Sequence, residues 1–216
     1  MSRRGRTESM YSWGGFQARV ATAQAFHKNT MELLGKRSEN AEEANRKFTS
    51  AGNLVYLAVN LIFACESYLK TFVMMSNKTI PENHNLWKIY KVISAEARAV
   101  IEKEYYAEIA KRPNRRSLHT LLSLEPHIPK DDLVSRLRKN EEISPKGSFD
   151  SLDRILKDTG DSYHAWRYLF ESEPSKDKEK VLRLHYDHLD CLCIACHGII
   201  LRSIAKKKES ALNAEK

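Results

Sequence analysis

The sequence predicts an all-α fold, a single helical bundle built around a long central helix pair with extra short helices, and three observations lead there. Only 8 Gly and 6 Pro punctuate 216 residues, which leaves long segments without turn signals. No run alternates apolar and polar residues for more than four positions, so the period-two pattern of half-buried strands is missing. Hydrophobic residues make up 42% of the chain, enough to fill one core of this size.

Taken in order, residues 1–15 lack periodicity and read as a flexible tail, residues 16–205 as one helical domain, and residues 206–216 as a charged tail. The first helix is predicted from Phe16 to Leu34, with Gly35 suited to a left-handed cap. Ser38 opens a second, long helix, because Glu39, Glu42 and Glu43 suit its positive end, and Asn77 and Pro81 close it after Ser76. A short helix begins at Leu86, and Ser94 caps the next, which runs to Lys111. Arg112–Arg116 form a basic loop. Between Ser117 and Asn140, short helical pieces are broken by Pro126 and Pro129. Ser148 starts a helix that Gly160 stops, the segment DSYHAWRYLFE makes another, and the last helix is predicted from Lys178 to Ser203.

The formal charge of +8 and an isoelectric point near 9.3 favour contact with a polyanion, although 28 acidic residues accompany the 36 basic ones. The basic residues gather at Arg3–Arg6, Lys111–Arg116 and Lys206–Lys208. Residues 1–10 are polar, with no secretory signal. Leu54–Met75 is about as long as a membrane span, yet it carries Asn60, Glu66, Ser67 and Lys70, which argues against a bilayer. Three of the four cysteines fall within six residues, and a reducing cytoplasm is the natural setting for them.

Two stretches carry unusual polar groups. Asn53, Asn60 and Ser67 are spaced by seven and share a stripe of the long helix, while Glu66 can pair with Lys70 one turn on. They mark either the solvent edge of an amphipathic helix or the wall of a cleft. In SYHAWRYLFE, His164, Arg167 and Glu171 fall on one ridge, with Tyr163, Trp166 and Phe170 on another side. Glu171 would hold Arg167, whose guanidinium fork suits phosphate, or the two form a structural pair over aromatic packing. The run HYDHLDCLCIACH is rich in metal-binding types. Cys191 and Cys193 nevertheless point to opposite flanks of a helix, so no metal site and no cofactor is expected. No phosphate-cradling glycine loop and no recognisable nucleophile motif occurs.

Three pieces in order, NLIFACESYLKTFV, ENHNLWKIYKVI and YHAWRYLFE, resemble the HEPN domains (higher eukaryotes and prokaryotes nucleotide-binding), over residues 51–203. The resemblance implies a helical bundle that works as a homodimer on RNA or a nucleotide. It also implies a bacterial toxin–antitoxin or defence setting, with a cognate antitoxin or other protein as a further partner. Active members look like metal-independent ribonucleases whose signature is Arg, four to six residues, then His. Arg167 has no His at that spacing; His164 precedes it instead. The spacing does occur as Arg183–His188 and Arg112–His119, about as often as chance allows for this composition.

The expectation is therefore an RNA- or nucleotide-binding module without an intact nuclease motif. Its ligand-facing residues are expected to be Asn60, Glu66, His84, His164, Arg167 and Glu171. Two alternatives stay open: an endoribonuclease using Arg183 and His188 as catalytic pair, and a non-catalytic helical protein–protein adaptor.

Overall fold

A computed structural model describes residues 13–38, 51–76, 78–112, 118–122, 151–160 and 180–214. Six helices and two short strands lie within them: α1 (Trp13–Ser38), α2 (Ala51–Met75), α3 (Leu86–Val92), α4 (Ala95–Ala110), β1 (Leu118–Leu122), α5 (Leu152–Gly160), β2 (Lys180–Leu184) and α6 (Tyr186–Ala214).

The described residues are mostly helical, and α2 is their centre. From Leu57 to Met74 nearly every residue of α2 is buried, because α1 packs along one side, α6 along another, and α3 closes its C-terminal end. Such all-round burial is why α2 lacks a clean apolar stripe in the sequence. Val55–Met75 and Tyr186–Lys207 are long and apolar enough to cross a membrane by length and composition, but 89% of the first window is buried within the fold, as in a core helix.

The short helices are set by local signals. The side chain of Asn85 accepts from the Lys88 backbone N–H at 3.0 Å and caps α3; Ser94 Oγ accepts from Ala97 N–H at 3.2 Å and caps α4. Along α4, Ile101, Tyr105 and Ile109 repeat every four residues and turn one face to the core, against α6. In α5, Leu152, Ile155, Leu156 and Thr159 are buried, and the helix packs on α3.

Several expectations are corrected. The helix predicted to stop at Gly35 runs through it to Ser38. A lone helical glycine costs only about 1 kcal/mol, too little to end a helix docked along α2. A sheet was not expected, yet β1 and β2 form a two-stranded antiparallel ribbon with His119 opposite Arg183 and Leu118 opposite Leu184. Each strand is five residues long, too short to show a period, and the pairing joins distant parts of the chain. Residues 180–184, expected as the start of the last helix, are therefore strand, and α6 begins at Tyr186. The C-terminal segment expected to fray stays helical to Ala214. The long helix expected from Ser38 is described from Ala51. The pieces expected across residues 123–140 lie outside the described residues, as does the helix expected over 161–171.

Candidate functional site

The ribbon delivers the chain into α6 through His185, whose carbonyl accepts the Leu189 N–H at 3.0 Å and starts the helix. Over the next turn and a half, imidazoles and acids alternate: His185, Asp187, His188 and Asp190, all at most 4% exposed. The three-residue spacings set His185 with His188 and Asp187 with Asp190, so the imidazoles and the acids meet different neighbours.

His185 Nε2 donates to Asp158 Oδ2 of α5 at 2.5 Å. The Tyr105 hydroxyl of α4 lies 2.6 Å from His188 Nδ1. When the hydroxyl donates, the ring proton of His188 sits on Nε2; when the imidazole donates, it sits on Nδ1. The two imidazoles stand nearly perpendicular, 6.2 Å between centroids.

Asp187 and Asp190 share one guanidinium. Arg112, just past the end of α4, places Nη1 3.0 Å from Asp187 Oδ1 and Nη2 2.5 Å from Asp190 Oδ2. His27 Nε2 of α1 donates to Asp190 Oδ1 at 2.5 Å. Burial disfavours the Asp190 carboxylate, but the hydrogen bonds from His27 and Arg112 outweigh it and hold the group below its ordinary range. Burial likewise works against the Arg112 charge, and the hydrogen bond and attraction of Asp190 again prevail, raising its pKa. Next to them, the Cys191 thiol is pushed up to about 11 because burial outweighs the attraction of Arg112.

A second polar group sits on α2. Glu66 is 4% exposed and pairs with Lys70 Nζ at 2.8 Å, the pairing that the sequence spacing predicts. His84 Nδ1 lies 3.0 Å from both of its carboxylate oxygens. Glu66 also acts on Arg19 of α1, whose pKa is lowered chiefly by desolvation. One buried carboxylate thus meets Lys70 of its own helix and His84 of the loop before α3, and acts on Arg19 of α1.

The sequence-predicted residues separate accordingly. Glu66 and His84 meet. Asn60 is buried but turns its Nδ2 back to the Tyr56 carbonyl at 2.8 Å, a bond within its own helix. Burial of Asn60 and Ser67 removes the alternative that this stripe is a solvent edge. His164, Arg167 and Glu171 lie outside the described residues. His188 is in the first turn of α6, whereas Arg183 is on β2 rather than in that helix. The residues that sequence reasoning missed are His27, Tyr105, Asp158, Asp187 and Asp190, with Arg112 seen only in a basic loop and in the Arg112–His119 spacing. One signal was available for two of them, since Asp187 and Asp190 repeat the three-residue spacing of His185 and His188.

Among the described residues no group of three or more His, Cys, Asp or Glu side chains is arranged to hold a metal ion. Chemically, the end of α6 offers imidazoles coupled to a phenol and a carboxylate, able to hold or move protons. Beside them lies the Arg112 guanidinium, paired to Asp187 and Asp190. No family model, curated protein or solved structure matches the chain.

Proposed function

We propose that this chain is a HEPN-like helical module that binds RNA or a nucleotide at the ribbon end of α6. The observation that carries this is convergence. The two Arg–His spacings in the sequence are distant from one another, yet the antiparallel register sets His119 opposite Arg183, and Arg112 is ion-paired to the residues flanking His188. Chance matches have no reason to meet. Asp187 and Asp190 already neutralise Arg112, so on this reading Arg183 and His119 meet the phosphate first, with His185 and His188 next along the chain. The net charge of +8 supplies long-range attraction. The partner set that goes with this reading is a second copy of the chain and a cognate antitoxin or similar protein.

The test is fluorescence anisotropy with a labelled single-stranded RNA, in chelator, at about 50 and 200 mM salt. Wild type should bind at low salt and weaken at high salt. Arg183→Gln should keep the helical spectrum, lower the affinity and reduce the salt slope by about one unit for the lost phosphate contact. No binding at low salt would defeat the proposal and favour the protein–protein adaptor.

A second reading, metal-independent RNA cleavage by Arg183 and His188, is favoured by one observation, the 2.6 Å contact that fixes the His188 ring against Tyr105. Shortened RNA in chelator, lost in a folded His188→Ala variant, would support it. Intact RNA leaves binding alone.

A further inference from the structure

We propose that Cys65 and Cys193 form a latent interhelix disulfide, a modification site at which a small peroxide covalently joins α2 to α6. Their sulfurs lie 3.4 Å apart across the packed faces of the two helices, 128 positions apart in sequence, and both residues are fully buried. At that distance the sulfurs already touch, and a bond of about 2.05 Å requires them to close by about 1.4 Å. The same Cys65 Sγ also donates to the Leu189 carbonyl at 3.4 Å, which holds it against α6 one residue beyond His188. Cys191 belongs to a different neighbourhood, beside Arg112 and Asp190. Cys196 is one turn farther along α6 and fully buried, its pKa raised by burial and, secondarily, by the neighbouring Cys65. The geometry therefore selects one pair among four thiols.

The chemistry balances with hydrogen peroxide as the oxidant. One sulfur attacks a peroxide oxygen; an S–O bond forms, the O–O bond breaks, and the departing hydroxide takes the thiol proton as water. The second sulfur then attacks the sulfenic sulfur; the S–S bond forms, the S–O bond breaks, and a second water leaves with the remaining thiol proton. Two thiols are oxidised by two electrons, and one peroxide is reduced to two waters. Burial keeps the Cys193 and Cys196 thiols protonated, because a thiolate would be desolvated there. Large or charged oxidants are excluded for the same reason, and a small neutral peroxide is the class that reaches the pair. The cross-link would replace the Cys65–Leu189 hydrogen bond and tie together the helix carrying Glu66 and the helix carrying His188. This inference stands on core geometry alone and is independent of what the chain binds.

The experiment uses the full chain. It is treated with hydrogen peroxide, unfolded, alkylated with iodoacetamide and digested without reductant for mass spectrometry. The expected result is a Cys65–Cys193 linked peptide, loss of two of the four titratable thiols, and recovery of all four in dithiothreitol. The melting midpoint should rise by about 5–10 °C on oxidation and return on reduction, since the link closes a long loop of the unfolded chain. Cys191→Ser should leave the linked peptide in place. Four thiols still titratable after treatment, a link through any other pair, or sulfinic acid without cross-linking would overturn the proposal. Each of these is read on the wild-type protein, so it does not depend on a variant folding.

Discussion

Replacing Asp190 with alanine should cost about 3 kcal/mol, and the structure says why. The carboxylate is fully buried between Arg112 and His27, whose side chains are 27% and 15% exposed. Removing one member of a buried ion pair typically costs about 3–5 kcal/mol, because the partner is left charged and unpaired. Water at the edge of Arg112, and its second bond to Asp187, place the value at the lower end. The Lys28–Glu32 pair on α1, with side chains 76% and 55% exposed, provides the control. Glu32→Ala should cost about 0.5 kcal/mol or less. Urea unfolding followed by circular dichroism gives both values. In a chain of this length the Asp190 variant should melt about 6–12 °C lower. A cost under about 1 kcal/mol for Asp190→Ala would refute the reasoning.

Acid should destabilise the fold in two stages. His197 is held below its ordinary value by burial and by His27, so its contribution is present above about pH 6.5 and fades as pH falls through the lowered value. Asp190 contributes above about pH 4 and is lost as pH falls through its own lowered value, and Asp190→Asn should remove that lower limb. A methyl group added at Gly160 would stand 2.7 Å from Asn85 Oδ1, the atom that caps α3. Gly160→Ala should therefore cost about 1 kcal/mol in wild type and be neutral or stabilising in an Asn85→Ala background, measured by urea unfolding. All four cysteines are buried, so an aromatic disulfide reagent at neutral pH should label none in the native reduced protein within minutes and all four in denaturant. Fast native labelling would contradict the packing.

The caps and the central helix were legible because their causes are local. Ser94 starts a helix through a bond to a backbone N–H three residues on, and the apolar run to Met75 needs burial in any fold. The Glu66–Lys70 pair was legible for the same reason, one turn of one helix. The ribbon was not, because β1 and β2 stabilise each other across residues far apart, and neither strand carries a pattern of its own. The Asp190 network was hidden in the same way: His27, Arg112 and Asp190 sit on three elements, and nothing in their spacing ties them together. The Arg–His spacings were visible but undecidable, since composition alone produces about that many. Only the register that sets Arg183 across from His119 gives them a shared location.

The buried charges argue one step further about what the end of α6 is for. Ion pairs in a core stabilise no better than well-packed apolar residues of similar volume, since desolvation consumes most of their attraction. From its second turn on, α6 uses the apolar solution, with Leu192, Cys193, Cys196 and Ile200 fully buried. At its N-terminal end the same helix buries His185, Asp187, His188 and Asp190 instead, and sets Asp158, Arg112, Tyr105 and His27 against them. Folding alone gives no reason for that change of strategy within two turns. On the reading proposed above, a requirement for oriented imidazoles beside arginine supplies one, and the first binding and cleavage assays belong at Arg183 and His188.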